Sequence, residues 1–370
     1  MANISFDINN LNPRKMGIGR YGFQLVFHLL KRNLYNYYAL TSPNINHKEI
    51  GFSENNIIIN SSINSVFLRS HILPVFSNLK KIDLHHSLEN NFFYKYNFKY
   101  KTITTIHDAI VFINPEYFTR KHQYIIKLQI KESIKFSDII ICPSSHTKET
   151  LLKLFKLRPE RIYVIPLGSI FNLKKYNKTQ LPLKLKFLNN QKYLLSVCSF
   201  EPRKNIGRLI KAYRDLKSRK KNDNTILVLV GGKGWLESGI DKSKEELKKE
   251  GIIVLGFVED QWLPAIYANA LAFIYPSLHE GFGLPPLEAM SCGTPVLLSN
   301  ASSLPEVGGD AALYFDPLSV EAIEEAIEKI IYDVDLQKTM SEKSLIQSKQ
   351  FSWDKTAQQT EEVYAKVLGL

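Results

Sequence analysis

The chain has 370 residues, 44% of them hydrophobic, with 48 Lys+Arg against 36 Asp+Glu and a formal net charge of +12. That length and apolar content suit two globular domains better than one. No run approaches the roughly 18–20 apolar residues that cross a bilayer, and the opening "MANISFDINN" lacks the basic and apolar regions of a secretory signal, so a cytoplasmic location is expected. Cys142, Cys198 and Cys292 lie far apart in or beside apolar runs, which is neither a metal spacing nor a disulfide framework, and they are expected as buried thiols. The charge is uneven: residues 1–180 carry 25 Lys+Arg against 11 Asp+Glu, and the remaining 190 carry 23 against 25. Such an excess on one half implies a polyanionic partner or a negatively charged surface.

In chain order, "NISFDIN" predicts a strand, "GRYGFQLVFHLLKR" a helix, "YKTITTIHDAI" a strand and "RKHQYIIKLQIKESIKFS" a helix. Then come a strand in "DIIICPSS" and a helix in "HTKETLLKLF", capped in the region of Ser144 and Ser145. After "RIYVIPLGS", the polar, basic stretch "IFNLKKYNKTQLPLKLKFLNN" reads as a linker. The alternation resumes with "YLLSVCSF", "IGRLIKAYRDLKSRK", "TILVLVGG", "KSKEELKKE", "IIVLGFV", "WLPAIYANA", "LAFIYPS", "PPLEAMSCG", "PVLLS" and "SVEAIEEAIEKII". Strands that are continuous apolar runs are those covered by helices on both faces, so the class is α/β with two doubly wound parallel sheets. Ligands in such folds bind at the carboxyl ends of the strands.

The densest chemistry follows "LAFIYPS", in "HEGFGLPPLEAMSCGTP". Two glycines bring main-chain amides close to a ligand, and Pro285 and Pro286 suit the first turn of a helix that ends near Gly293. The amides of Gly281, Phe282, Gly283 and Leu284 then gather at a helix N-terminus, which favours an anion such as phosphate. Glu280 precedes this turn and Glu288 lies about one turn into the helix, a separation that suits two polyol ends of one ligand. Taken alone, Glu288 also fits a favourable first-turn acid and Glu280 a solvated one. In "SVCSFEPRKNIGRLIKAY", Arg203 and Lys204 stand at a strand's carboxyl end before a helix, where a fork and a point charge can neutralise a diphosphate.

"HEGFGLPPLEAMSCGTPVLLSNASSLPEVGGDAALYFDP", with its E-x7-E spacing, resembles the retaining nucleotide-sugar glycosyltransferases of family GT4. "SFEPRKNI", "GIGRYGFQLV", "ITTIHD" and "FSWDKTAQQTEEVYAKVL" resemble the same family, in order, across essentially the whole chain, and most resemble its mannosyltransferase-like enzymes of bacterial surface-polysaccharide assembly. The resemblance implies a GT-B fold: two Rossmann-like domains facing a cleft, an acceptor domain over 1–178 plus a returning C-terminal helix at about 355–370, and a donor domain over 179–354. It implies that Glu288 grips the donor ribose, that Glu280 lies by the donor sugar, and that Arg203 and Lys204 bind the diphosphate and offset leaving-group charge. It places the amides of Gly281 to Leu284 on sugar hydroxyls and phosphate, His107 near the reacting centre, and Gly17 and Gly19 facing the diphosphate. Many relatives carry a further arginine five or six positions before the lysine; this chain has Ser199 and Cys198 there, so Arg203 takes over its charge on this reading.

Phe257 and Val258, after "IIVLG", are expected to read the base through main-chain groups, and "VLVGGKGW", which lacks the full dinucleotide-binding glycine spacing, to form a turn beside the donor pocket. His85 and His86 in "LHHSLENN" are assigned with Asp108 to the acceptor, the two histidines in a cleft-lining loop; without the resemblance, His107 and Asp108 also fit an ordinary structural pair. No metal or other cofactor is expected, because the basic pair performs the charge neutralisation a metal would. The implied reaction moves a hexose, with mannose from GDP-mannose as first choice, onto a hydroxyl of a glycan or lipid-linked acceptor in O-antigen-like polysaccharide synthesis. It runs by a front-face route in which the departing phosphate oxygen helps deprotonate the acceptor. The alternatives are a UDP-hexose or UDP-N-acetylhexosamine donor and a nucleotide-sugar epimerase. "RKHQYIIKLQIKESIKF" and "NNFFYKYNFKYK" mix cations with apolar residues in a way that fits an anionic membrane surface, hence a peripheral place on the inner face of the cytoplasmic membrane; a solvated basic helix is the simpler alternative. A nucleic-acid partner is disfavoured, since no helix-turn-helix, RNP or zinc-finger spacing is present.

Overall fold

The computed structural model describes residues 1–9, 11, 17–41, 46–60, 81–90, 100–171, 181–221, 223–232, 240 and 242–370. The chain divides into two units: residues 1–115, 119–168 and 352–370, and residues 116–118 and 169–351.

The first unit holds a sheet ordered β3-β2-β1-β4-β5-β6-β7, built from β1 (Asn3–Asp7), β2 (Asn36–Thr41), β3 (Ile57–Asn60), β4 (Leu84–Ser87), β5 (Lys101–Thr105), β6 (Ile139–Cys142) and β7 (Ile162–Val164). The second holds β10-β9-β8-β11-β12-β13, from β8 (Tyr193–Val197), β9 (Ile226–Val230), β10 (Ile252–Gly256), β11 (Ala272–Tyr275), β12 (Val296–Ser299) and β13 (Ala312–Phe315). The pairings are parallel in both sheets. Each order is that of a Rossmann sheet, reversing direction between its two central strands, β1 and β4 in one unit and β8 and β11 in the other.

Hydrophobic spacing accounts for the helices that cover these strands. The helix Ile206–Arg219 buries Ile206, Leu209, Ile210, Tyr213 and Leu216, one stripe at helical period, and packs on the helix Val320–Tyr332, which buries Ile323, Ala326, Ile327 and Ile330. The Ser144 hydroxyl caps Ser145–Phe155 by accepting from the Thr147 amide at 3.1 Å. The stretch read as a linker is more ordered than its polarity suggests. Residues 172–180 lie outside the described residues, but Leu183–Asn190 form a 3-10 segment in which Leu185 and Leu188 are buried, because these leucines recur at a three-residue spacing.

The C-terminal helix Trp353–Leu368 belongs to the first unit and packs on the helix Ile18–Arg32. Its Thr356 hydroxyl donates to the Pro166 carbonyl at 2.7 Å, and Arg32 Nε and Tyr37 OH donate to the Glu361 carboxylate at 2.5 and 3.1 Å. Gly168 admits its first turn: a Cβ there would stand 2.2 Å from the Trp353 amide nitrogen.

His85 and His86 require a correction. Neither lies in an acceptor-facing loop; both are within β4, which pairs with β1 and β5, and they are 1% and 0% exposed. His85 Nδ1 bonds Ser5 Oγ at 2.9 Å, while His86 bonds Tyr364 OH at 2.6 Å through Nδ1 and Thr105 Oγ1 at 2.9 Å through Nε2. Their hydroxyl partners, spread from residue 5 to residue 364, make a histidine tolerable in a central strand. Tyr364→Phe removes one partner of the buried His86 ring and is expected to cost about 1–3 kcal/mol, read from the urea midpoint; an unchanged midpoint contradicts the network.

Burial, and secondarily a neighbouring imidazole, holds both histidines down to about 3. They are neutral in the folded protein but protonate near pH 6.5 once unfolded, so their contribution is fully present above pH 6.5 and is lost as pH falls from 6.5 toward 3. Unfolding free energies from urea titrations between pH 7.5 and 5 are expected to fall with a slope approaching ~1.4 kcal/mol per pH unit for each histidine; a flat profile contradicts their neutral burial.

Candidate functional site

In the second unit, the loops after β8 and β11 leave from the carboxyl ends of the two strands where the sheet order reverses. After β8 the chain makes a 3-10 turn, Pro202–Lys204, and Asn205 then takes a left-handed conformation (φ 59°) before the helix Ile206–Arg219. Asn205 Nδ2 fixes this corner, donating to the carbonyls of Pro276 (3.0 Å) and Pro317 (2.7 Å). The Leu278 amide donates to the Arg203 carbonyl at 2.8 Å, which ties the two loops together, and Ser277 Oγ lies 3.1 Å from the same carbonyl.

Across that seam three of the sequence-predicted residues meet. Lys204 Nζ donates to Glu280 Oε1 at 2.5 Å and to Tyr275 OH at 2.7 Å, and Arg203 Nη1 donates to Glu280 Oε2 at 3.0 Å and to the His279 carbonyl at 3.3 Å. Ser277 Oγ adds a third donor to Glu280, at 2.5 Å from Oε1. Lys204 is 6% exposed and Glu280 8%. Burial alone would raise the Glu280 pKa, but the Lys204 and Arg203 charges and the hydrogen bonds from Lys204 and Ser277 outweigh it and bring it down to about 2. Lys204 is pushed below the usual lysine value by burial and by Arg203, against the pull of Glu280.

The turn after Glu280 is shaped by the segment that follows β12. Ser303 Oγ donates to the carbonyls of Glu280 (3.0 Å) and Phe282 (2.7 Å), and Ser302 Oγ accepts from the Glu280 amide at 2.9 Å. Because a trans peptide sets its N–H opposite its C=O, the amides of Gly281 and Gly283 are directed away from Ser303. Gly283 sits at φ 128°, where a Cβ would come within 3.0 Å of Leu304 Cδ2, so the backbone demands glycine. Leu284–Ser291 is a helix whose first turn contains Pro285 and Pro286, which lack N–H groups, while the Leu287 amide already bonds the Gly283 carbonyl at 3.2 Å. The amides of residues 281–284 lie in this turn, ahead of the helix's own hydrogen-bond ladder.

Glu288 is held elsewhere. It is 1% exposed and accepts from Tyr267 OH at 3.1 Å; burial, followed by its charge, raises the Cys292 thiol. All three cysteines are buried thiols in no disulfide. Phe257 is 67% exposed in the loop after β10, with Val258 half-buried beside it. Residues 233–235 of "VLVGGKGW" and 91–99 of "NNFFYKYNFKYK" lie outside the described residues.

In the first unit the order reverses between β1 and β4, and Gly17, at φ 72°, caps the helix Ile18–Arg32 with Gly19 buried in its first turn. His107 follows β5; its Nε2 donates to the Leu88 carbonyl at 3.0 Å and its ring stands edge-on to Tyr21 at 4.7 Å. Burial lowers its pKa, opposed by the Leu88 bond and Asp108, which leaves a neutral imidazole with Nδ1 as acceptor. Asp108 is turned to its own backbone, accepting from the Ile110 amide at 3.2 Å.

Glu201, Tyr275, Ser277, Ser302 and Ser303 complete the cluster and were not singled out in the sequence. Only Glu201 carried a readable signal, an acid two residues before Arg203 inside "EPRKN". The other four lie in strand and loop runs whose composition is ordinary.

The glycosyl transferases group 1 family matches residues 177–345, and Glycosyltransferase Family 4 matches residues 18–169. O-antigen chain mannosyltransferase B of Escherichia coli is 37% identical over 267 residues, 71% of this chain and 70% of that protein. The serotype-specific mannosyltransferase WbdA of Escherichia coli is 32% identical over 281 residues, 74% of this chain, which spans about a third (34%) of that longer protein. Among solved structures, Anabaena Alr3699/HepE, in complex with UDP and glucose, shares the fold with a TM-score of 0.72 at 20% identity, covering 99% of this chain and 100% of that one. With both halves matched, two Rossmann-ordered sheets of the GT-B type and a relative of this similarity, the chain belongs to the family 4 glycosyltransferases.

Proposed function

We propose that this glycosyltransferase moves mannose from GDP-mannose onto a hydroxyl of a glycan or lipid-linked acceptor in O-antigen-like polysaccharide synthesis, with retention at the anomeric carbon. The observation that carries the donor-binding part is the pair of cations, buried Lys204 and half-buried Arg203, paired with Glu280 at the switch point of the second unit. Mannose and O-antigen are supported by the names of the relatives, and GDP is the first choice of carrier for that sugar in this reading. UDP sugars are the second reading, favoured by the UDP in the Anabaena structure of the same fold.

The chemistry follows from where the charges stand. A leaving nucleoside diphosphate gains negative charge at its terminal phosphate, and cations preset beside it stabilise that charge without reorganising. Arg203 and Lys204 are the proposed stabilisers, with the amides of residues 281–284 as further donors to phosphate and sugar hydroxyls. Double displacement would need a basic, accessible carboxylate. Glu280 is neither: Oε1 accepts from Lys204 and Ser277, Oε2 accepts from Arg203, and its pKa is about 2. It therefore serves as a donor clamp, Glu288 as the ribose-side acid, and the departing phosphate oxygen as the base that receives the acceptor proton. His107, Gly17 and Gly19 are the proposed donor-facing residues of the first unit, and Phe257 and Val258 the base-side loop.

The basic helix Arg120–Phe136 supports a membrane-side role. Tyr124 is 72% exposed and Ile125 and Leu128 are exposed with it, among Lys121, Lys127 and Lys131. Among the described residues no helix is long and apolar enough to cross a membrane. Adsorption to an anionic surface through cations and a few inserted apolar side chains is the proposed alternative.

Lys204→Ala or Arg203→Ala is expected to lower turnover at saturating donor by on the order of a hundredfold in folded protein; rates within twofold or so of wild type contradict the assignment. Flotation with liposomes is expected to show binding that requires anionic lipid and fades as salt rises past the ~10 Å screening length of 0.1 M solution. Absence of binding at every lipid composition contradicts the membrane role.

A further inference from the structure

Arg203 lies between two carboxylates, and only one of them belongs to the donor clamp. Its Nε donates to Glu201 Oε2 at 3.0 Å while its Nη1 donates to Glu280 Oε2 at 3.0 Å. Glu201 is itself fixed: it is 3% exposed and its other oxygen accepts from Ser199 Oγ at 2.6 Å. The turn is short and internally bonded, with the Lys204 amide on the Glu201 carbonyl at 2.9 Å and the Glu201 amide on the Ser199 carbonyl at 3.0 Å.

We propose that Glu201 is a positioning residue for glycosyl transfer, which with Ser199 aims the Arg203 guanidinium at the donor's terminal phosphate. The proposal rests on the functional reading above and deepens it. A guanidinium on a flexible stem binds a phosphate well only when its planar fork is oriented beforehand. Holding Nε from behind fixes the plane and directs the Nη edge forward, toward Glu280. The two carboxylates then have different fates. Glu280 faces Arg203 from a separate loop and can yield its bonds to an incoming phosphate, whereas Glu201, clamped by Ser199 within the same turn, stays.

The same geometry gives Ser199 a purpose. At a position where an arginine would supply charge directly, this chain has a hydroxyl that orients the carboxylate that orients Arg203, so one cation is placed through two relays. Cys198 beside it offers no charge, since burial first, and then Glu280 and Glu201 against the pull of Lys204 and Arg203, push its thiol up to about 12.

The test is isothermal titration of the full chain with nucleoside mono- and diphosphates, using GMP and GDP, and UMP and UDP. The wild type is expected to prefer a diphosphate. Glu201→Gln is expected to raise the diphosphate Kd about tenfold, the size of one charge-assisted hydrogen bond, while the monophosphate Kd stays within about twofold. Ser199→Ala is expected to shift the same ratio in the same direction by less, and Arg203→Lys not to restore it. In the Arg203→Ala background, Glu201→Gln is expected to add nothing, because its effect passes through Arg203. An unchanged diphosphate-to-monophosphate ratio in folded Glu201→Gln, or the same loss with and without Arg203, overturns the positioning role and leaves the functional reading standing. A wild type that does not distinguish the two classes overturns the functional reading and this role with it.

Discussion

The second unit is organised around a buried ion pair, Lys204 with Glu280, in which Arg203 shares. Burying charges costs several kcal/mol per ion, and a pair in the interior commonly does no more than offset that cost, so such a cluster is poor value as a stabiliser. It becomes intelligible as a preset arrangement of cations. Four ionisable groups, Glu201, Arg203, Lys204 and Glu280, balance one another in sign, with Lys204 buried and Arg203 half-buried at the end of a parallel sheet. Everything nearby serves their placement: Asn205 turns the chain, Tyr275 and Ser277 supply the remaining bonds, and Ser302 and Ser303 hold the facing turn by its own backbone.

The first unit solves a different problem by similar means. A parallel sheet covered on both faces is ordinarily aliphatic, yet here Ser5, His85, His86, Thr102, Thr104 and Thr105 are buried within or beside the central strands. Ser5 pairs with His85, Thr102 with the Phe136 carbonyl and Thr104 with Ser137, while a separate chain of bonds runs from Tyr21 through Thr105 and His86 to Tyr364 of the C-terminal helix. That helix is thus attached by specific hydrogen bonds as well as by apolar packing, and Tyr21, which bonds Thr105, also packs against His107. A neutral His107 with Nε2 committed to a carbonyl offers an acceptor rather than a charge.

Much of this was legible in the sequence, for physical reasons. Continuous apolar runs such as "YLLSV" and "LAFIY" announced buried parallel strands, and the helical stripe of "IGRLIKAYRDL" announced its core face, because burial on both sides of a sheet leaves short unbroken apolar runs while a helix on its surface buries one stripe. β2, "NYYALT", and β3 were not anticipated, since their polar and asparagine-rich context resembles loop. "HHS" was taken for loop because histidine is unusual in a central strand; the partners that make it acceptable, Ser5, Thr105 and Tyr364, are distant in sequence. In the candidate site, Arg203, Lys204 and Glu280 were nameable from motif and residue type. Their mutual pairing was not, nor was the part played by Ser277, Ser302 and Ser303, because short hydroxyl side chains acquire a role only when the fold brings a backbone or carboxylate within about 3 Å. The separate burial of Glu288 against Tyr267 was equally invisible, since nothing in an E-x7-E spacing says which side of its helix faces the core.

The account centres on the claim that this cation pair serves a nucleoside diphosphate sugar whose sugar leaves for another hydroxyl. The most direct measurement is incubation of the purified chain with radiolabelled GDP-mannose, UDP-hexoses and UDP-N-acetylhexosamines and a lipid-linked glycan acceptor, followed by separation of the acceptor. Label from GDP-mannose appearing on the acceptor, in α-linkage as in the donor, is the predicted result. Transfer from none of these donors, or transfer with inversion at the anomeric carbon, would contradict it.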